Sequence, residues 1–321
     1  MHLLGMGGAM SDAAPKALLS GASGMLGVAL RRTLSSHNFS TLQLVRRPAA
    51  SDAEIQWNPT AIPAITDATQ LENLTAAIHL SGSNVAAHRW TPAYKREIAS
   101  SRIDSTCTLA TTLARLRQPP RALLVASATG IYGNRGDQLL DEISAPGSGF
   151  LADLCRQWEA AAQPAVDAGI RVVHLRFGVV LGPSSKSHPG ALGKMLPILR
   201  LGLGGPLGSG SQWMSWISLH DAVAAILFVL QTPSLAGPVN LTAPNPVTNA
   251  EFTRTLARQL HRPAFFRAPA FALRIALGEM ADEALLSSAR ALPAKLTAAG
   301  FQFAYPTIDL CLAAALAPHS V

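Results

Sequence analysis

Cysteine and tyrosine are both scarce in this sequence, three of each among 321 residues. Cys107, Cys155 and Cys311 lie far apart, are odd in number and form no C-x-x-C pair. This excludes a disulfide framework or a structural zinc site as the organising device and fits a reducing cytoplasm. No cluster of His, Asp and Glu has metal-ligand spacing, so no metal is expected. No long hydrophobic run occurs either. The most apolar stretch, residues 222–230, falls far short of the roughly 18 residues that a membrane span needs. The N-terminus lacks a basic region followed by an apolar core of roughly seven residues, which excludes a secretory signal of the usual kind. Residues 1–16 read as a disordered lead-in, with Met1 or Met10 as the start. Lys and Arg outnumber Asp and Glu by 26 to 19, yet they are scattered in pairs such as Arg31-Arg32 and Arg46-Arg47. A run of Lys and Arg long enough for a nucleic-acid surface is absent, while anionic small molecules such as phosphates remain suitable ligands.

What is present suits a large core with many loops: 49% of residues are hydrophobic, with 25 glycines and 22 prolines. Short apolar runs at 17–20, 41–45, 76–82, 122–127, 172–182 and 237–242 read as strands. Helical patterns separate them at 24–36, from Thr91-Pro92 to about Leu116, at 150–168 and at 218–231. Thr91 reads as an N-cap with Pro92 at the first helical position, and Ser218 with Asp221 forms an S-x-x-D capping pair. Strands alternating with helices at this spacing predict an α/β fold, a Rossmann-type doubly wound parallel sheet. A smaller, mostly helical C-terminal lobe is expected to carry the substrate. The expected division is 17–182 plus 218–242 for the nucleotide-binding domain and 183–217 plus 243–321 for the lobe.

The first strand runs into "GASGMLG", residues 21–27. Where a strand turns into a helix, the first helical N–H groups are unpaired and the helix dipole is positive there, so a phosphate is welcome. Gly21, Gly24 and Gly27 allow the tight turn, the close approach of a diphosphate and close helix–strand packing. Ala22, Ser23, Met25 and Leu26 complete the loop. The spacing is G-x-x-G-x-x-G, and an ordinary glycine-rich turn is the bland alternative. An NAD site places an acid about 20 residues further on. Here "QLVRRP" offers Arg46 and Arg47 and no acid. Guanidinium groups suit a 2′-phosphate, which points to NADP(H) with Arg46 as the main contact. The bland alternative is a pair of solvated arginines at a strand end.

Several stretches together resemble the extended short-chain dehydrogenase/reductase superfamily, in its NAD(P)-dependent epimerase/dehydratase branch. The likeness is strongest to uncharacterised bacterial and organellar "epimerase family" proteins, some of them described as cell-division-inhibitor-like. It is carried by "GASGMLG", "HLSGSNVAAHRWTPAYKREIASSRIDST" (79–106), "YGNRGD" (132–137), "FLADLCRQWEAAA" (150–162), "LRFGVVLGP" (175–183), "LGLGGPLGSGSQWMSWI" (201–217) and "NLTAPNPVTNAEF" (240–252). The resemblance implies a Rossmann domain, a C-terminal substrate lobe and bound NADP(H). It adds Leu80, Ser81 and Gly82 to the cofactor site and sets Phe177, Gly178 and Val179 beside the nicotinamide. Ser127 falls where the superfamily keeps its catalytic Ser or Thr.

One departure matters. The superfamily's Y-x-x-x-K pair occurs nowhere: four residues after Tyr94, Tyr132 and Tyr305 come Ile98, Gly136 and Asp309. If Glu159 marks the register, Leu151 and Cys155 stand at the Tyr and Lys positions; a shift of one residue gives Ala152 and Arg156. Leu151, Leu154, Cys155 and Trp158 also form an apolar stripe, so Cys155 is read as packing before nucleophile. Tyr132 in "TGIYGNRGD" is the candidate to reach the pocket instead, or else an anchor of its turn. Arg156 and Glu159 line the pocket or form a surface pair. His79 and His174, each within an apolar strand, are read as core histidines before acid–base groups.

The segment 202–217 supplies five glycines, Trp213 and Trp216, and is read as approaching the substrate from the lobe, with Gln212, Trp213 and Arg156 as lining. A loop with two core tryptophans is the alternative. Residues 183–190 read as a flap over the cofactor. Two functions lead: an NADP(H)-dependent epimerase or oxidoreductase acting on a carbonyl or sugar-nucleotide-like small molecule with an altered proton path, or an NADPH-binding sensor or scaffold with little turnover; nucleic-acid or membrane-surface binding through the basic charge is a weak third. Ser127 and Tyr132 are the candidate catalytic pair.

Overall fold

The computed structural model describes residues 14–61, 63–185 and 188–317. The lead-in expected at the N-terminus lies outside these residues up to position 13. Seven strands form one sheet: β1 (Lys16–Ser20), β2 (Ser40–Val45), β3 (Glu54–Gln56), β4 (Ala76–His79), β5 (Ala122–Ala128), β6 (Arg171–Phe177) and β7 (Gly237–Leu241). They lie in the order β7-β6-β5-β4-β1-β2-β3, all parallel. The order reverses between β1 and β4, the switch point at which doubly wound sheets bind ligands beyond the strand ends.

Ten helices accompany them among the described residues: α1 (Met25–Ser36), α2 (Pro92–Ala114), α3 (Phe150–Ala160), α4 (Gln163–Asp167), α5 (Gly190–Arg200), α6 (Leu219–Gln231), α7 (Asn249–Gln259), α8 (Ala270–Leu277), α9 (Ala294–Ala298) and α10 (Ile308–Leu316). The sheet is buried on both faces, as the continuous apolar strands require. Leu19, Ile78, Leu124 and Val173 meet Leu30, Leu34 and Ile226 on one side. Their neighbours in sequence, Leu18, Ala77, Leu123 and Val172, meet Leu109, Leu113 and Trp158 on the other. A separate core joins α5, α7 and α10 through Leu196, Phe252, Leu256, Ile308 and Leu312, with Trp216 fully buried among them.

The capping residues act as the sequence predicts. Thr91 accepts from the Tyr94 amide and Ser218 from the Asp221 amide. The Asp221 side chain is used elsewhere: its carboxylate accepts from the amides of Ala304 and Tyr305 and so ties the C-terminal segment to α6. Three elements differ from expectation. The run 172–182 breaks at Gly178, where a Cβ would stand 2.7 Å from the Ser215 carbonyl oxygen; Val179–Leu181 then pairs with Trp216–Ser218 instead. The helix expected over 150–168 is two helices, and the glycine-rich stretch after 183 contains α5.

Candidate functional site

β1 delivers Gly21 at φ +71°, a left-handed conformation that favours glycine. A Cβ on Gly21 would stand 2.8 Å from the Leu80 carbonyl carbon, and one on Gly27 only 2.2 Å from the Gly21 oxygen. Packing alone therefore demands glycine at both positions. Gly24 differs. Its backbone is ordinary (φ −75°, ψ 165°), and a Cβ there would find only the Gly21 oxygen, at 3.5 Å. The fold leaves that side of Gly24 open. Gly24 is also the N-cap of α1, with no side chain capping the helix and no acid in its first turn. An open glycine on an uncapped helix start has room and donors for a diphosphate.

The strand ends bring the other predicted cofactor residues to the same edge. Leu80 donates its amide to the Ser20 carbonyl and to Ser20 Oγ, so Leu80–Gly82 runs beside Gly21 across the switch point. At the end of β2 the two arginines part company. Arg47 makes a bidentate pair with Glu54, at 2.7 and 2.6 Å, which holds the Glu54 carboxyl down at about 2. Arg46 is exposed and has no side-chain partner among the described residues. Of the expected flap, the described residues touch the loop: His188 Nε2 is 2.7 Å from the Ser23 carbonyl, and Gly190 faces the Met25 sulfur.

Beyond β5 lies a buried polar network. Ser127, 3% exposed, donates its hydroxyl to Glu159 Oε1 at 2.7 Å. Arg176 of β6 grips the same carboxylate through both oxygens, at 2.8 and 2.9 Å. Burial works to lower the Arg176 pKa, but the bonds and charge of Glu159 outweigh it and hold the guanidinium firmly charged. Arg176 Nη1 also donates to the Tyr132 hydroxyl at 3.1 Å. Sequence reasoning missed Arg176 as a site residue. The signal was there: a lone cation inside the apolar strand "VVHLRF" must find an anion once it is buried.

Several side chains expected at a pocket are used otherwise. Tyr132 is fully buried, and its hydroxyl lies 2.7 Å from Asn240 Oδ1 and 2.9 Å from the Asp141 carbonyl. Burial raises its pKa. It anchors the turn, the alternative the sequence left open, and its hydroxyl is engaged by partners within the fold. Arg156 is turned outward to Asp153 and donates to the Gly147 carbonyl, a surface pair. Gln212 is buried and donates to the carbonyls of Leu207 and Leu285, so its amide ties two loops together. Trp213 is half-buried, with the Arg290 guanidinium 3.9 Å above its ring.

Leu151 packs on the Gly130 position, and Cys155 is buried with its thiol pushed up to about 12, chiefly by desolvation. Neither supplies a proton donor or a nucleophile at neutral pH. His79 is wholly buried, lies 2.6 Å from Ser20 Oγ and 3.0 Å from Ser105 Oγ, and is held neutral by burial. Burial also lowers His174, whose Nδ1 has no partner. No group of three His, Cys, Asp or Glu among the described residues is placed to hold a metal. An apolar groove of about 690 Å³ between α1, α6 and α10, floored by Leu227 and Phe228, contains none of the predicted site residues.

The strand order, the switch-point loop and the uncapped helix start define a dinucleotide-binding α/β protein. The comparisons make the class specific: residues 17–241 match the NAD dependent epimerase/dehydratase family, to which the chain belongs. Residues 268–315 match a domain of unknown function. An epimerase family protein of Mycobacterium bovis is 45% identical over 294 residues, covering 92% of this chain and 95% of the relative. YfhF of Bacillus subtilis, also an epimerase family protein, is 34% identical over 93% of this chain and 97% of its own. Among solved structures, human epimerase family protein SDR39U1 with NADPH superposes with a TM-score of 0.84 at 32% identity, over 93% of this chain and 98% of the human one.

Proposed function

We propose that this chain binds NADP(H) and acts as an oxidoreductase of epimerase type on a small carbonyl or hydroxyl compound. The diphosphate rests on the amides that open α1 beside Gly24, and Arg46 takes the 2′-phosphate. Leu80–Gly82 and Phe177–Val179 flank the remainder of the dinucleotide. The human relative with NADPH supports this reading, as does Arg46, which lacks the carboxylate that occupies Arg47. Bound NADP(H) supplies or accepts a hydride at its nicotinamide ring.

The proton path rests on one observation, the Ser127–Glu159 hydrogen bond beneath the Arg176 guanidinium. Ser127 Oγ takes the proton of a substrate hydroxyl as its own hydrogen passes to Glu159. The reverse transfer protonates a carbonyl oxygen. Arg176 is a positioning residue that keeps the carboxylate fixed beneath the serine. Tyr132 supports Arg176 from the far side and takes no proton. The test is turnover of NADPH with a panel of carbonyl compounds and sugar nucleotides. Oxidation that vanishes in Ser127→Ala and Glu159→Gln, with NADPH affinity unchanged, supports the relay; full activity in either variant overturns it.

A second reading has its own observation. In either register, Leu151 with Cys155 or Ala152 with Arg156, no phenol stands where the superfamily keeps its tyrosine. An NADPH-binding sensor or scaffold fits that replacement. Tight NADPH binding without oxidation across the panel selects it.

A further inference from the structure

The C-terminal lobe carries an apolar surface that none of the described residues covers. α8 (AFALRIAL) is almost entirely apolar, yet none of its residues is buried. Phe271 and Ile275, one turn apart on one face, are both exposed, Ile275 at 72%. Phe265, at 84%, and Phe266 precede them, and Leu201 and Leu203 lie on the adjoining loop. The two loops run side by side: the Phe266 amide donates to the Gly204 carbonyl, and Arg262 Nε to the Arg200 carbonyl.

The exposure is built in. Arg89 holds the end of α8 by donating to the Ile275 and Ala276 carbonyls, and the Gly208 amide holds the Ala268 carbonyl just before it. The helix is therefore fixed with Leu277 packed on the cluster of Trp90, Leu154 and Met280 and with Phe271 and Ile275 bare. A concentration of exposed large apolar side chains of this kind marks an interaction site.

The surrounding charge selects the partner. Arg200, Arg262 and Arg267 are exposed within the patch and have no carboxylate partner among the described residues. The nearby acids are already engaged, Asp282 with Arg274 and Glu279 with Lys95. A symmetric contact between two copies would gather the arginines of both into one interface, with the neighbouring acids Asp282 and Glu279 already paired. Phenylalanine and leucine ringed by arginine is instead the composition of a segment that lies in the headgroup region of an anionic bilayer. No helix among the described residues is long and apolar enough to cross a membrane, so the contact is peripheral.

We infer that the C-terminal lobe docks on the surface of an anionic lipid bilayer, with Phe265, Phe266, Phe271 and Ile275 inserted and Arg200, Arg262 and Arg267 on the headgroup phosphates. This stands apart from the cofactor reading, because none of these residues belongs to the nucleotide site.

The test is sedimentation of the full chain with vesicles, half phosphatidylglycerol and half phosphatidylcholine, against vesicles of phosphatidylcholine alone. The protein is expected to sediment with the anionic vesicles, to be released by raised salt, and to stay in solution with the neutral ones. The double variants Phe265→Ser/Phe266→Ser and Arg200→Glu/Arg267→Glu should each lower binding about tenfold or more. Their melting temperatures and NADPH affinity should remain those of the parent chain. Failure to sediment with anionic vesicles, or unchanged sedimentation of both variants, overturns the inference. So does a dimer in solution that the phenylalanine variant converts to a monomer, which would make the patch a contact between copies.

Discussion

Ser127 and Glu159, 32 residues apart in sequence, are joined by a 2.7 Å hydrogen bond in which the hydroxyl donates and the carboxylate accepts. Arg176 occupies both carboxylate oxygens from the other side. Ser127→Ala should fold and bind NADPH like the parent and lose turnover, which steady-state kinetics beside calorimetry will separate. Tyr132→Phe should behave differently. It leaves Arg176 and Asn240 short of a buried partner, so it should lower stability by about 1–3 kcal/mol in urea unfolding without a selective loss of turnover.

The glycines of the first loop separate folding from binding. Gly27→Ala puts a methyl 2.2 Å from the Gly21 oxygen, and overpacking of that kind costs about 1–3 kcal/mol or more. Gly24→Ala meets nothing closer than 3.5 Å, so its melting temperature should hold while NADPH affinity falls. Thermal melts with and without NADPH check both.

Arg46 and Arg47 should part in the same way. Arg46→Glu is expected to weaken NADPH about tenfold or more, by loss of a charge-assisted contact and gain of repulsion, and to leave NADH nearly unchanged. Arg47→Ala removes a surface pair with Glu54 and should alter NADPH affinity little.

His79 gives the fold a pH dependence. Its folded pKa, lowered to about 4 by burial, lies below the usual 6.5. The unfolded chain therefore binds the extra proton first as pH falls. The stabilising contribution is fully present above about 6.5 and is lost between about 6.5 and 4, at up to roughly 1.4 kcal/mol per pH unit. Urea unfolding at pH 7 and pH 5 should show the loss, and His79→Gln should flatten it.

Much of this was legible in the sequence. The strand–helix alternation gave the sheet, and Thr91-Pro92 and Ser218 marked helix starts through local bonds that need no tertiary context. "GASGMLG" read as a tight strand–helix turn, and that turn lies at the switch point of the sheet. Gly178 was less transparent: nothing local reveals that Ser215 will crowd it and end β6, because that contact spans 37 residues. The destination of Tyr132 depended on Asn240, 108 residues away, and the pairing of Glu159 on α3 depended on Arg176 of β6. Such pairings are settled by the packing of the sheet. The exposed face of α8 was hidden for a related reason, since which apolar residues of a helix stay uncovered depends on the elements packed around it.

The most direct measurement is a calorimetric titration of the purified chain with NADPH and, separately, with NADH. NADPH should bind saturably at one site, about tenfold or more tighter than NADH, with the difference removed in Arg46→Glu. No heat of binding at millimolar NADPH, or equal affinity for the two coenzymes, would contradict it.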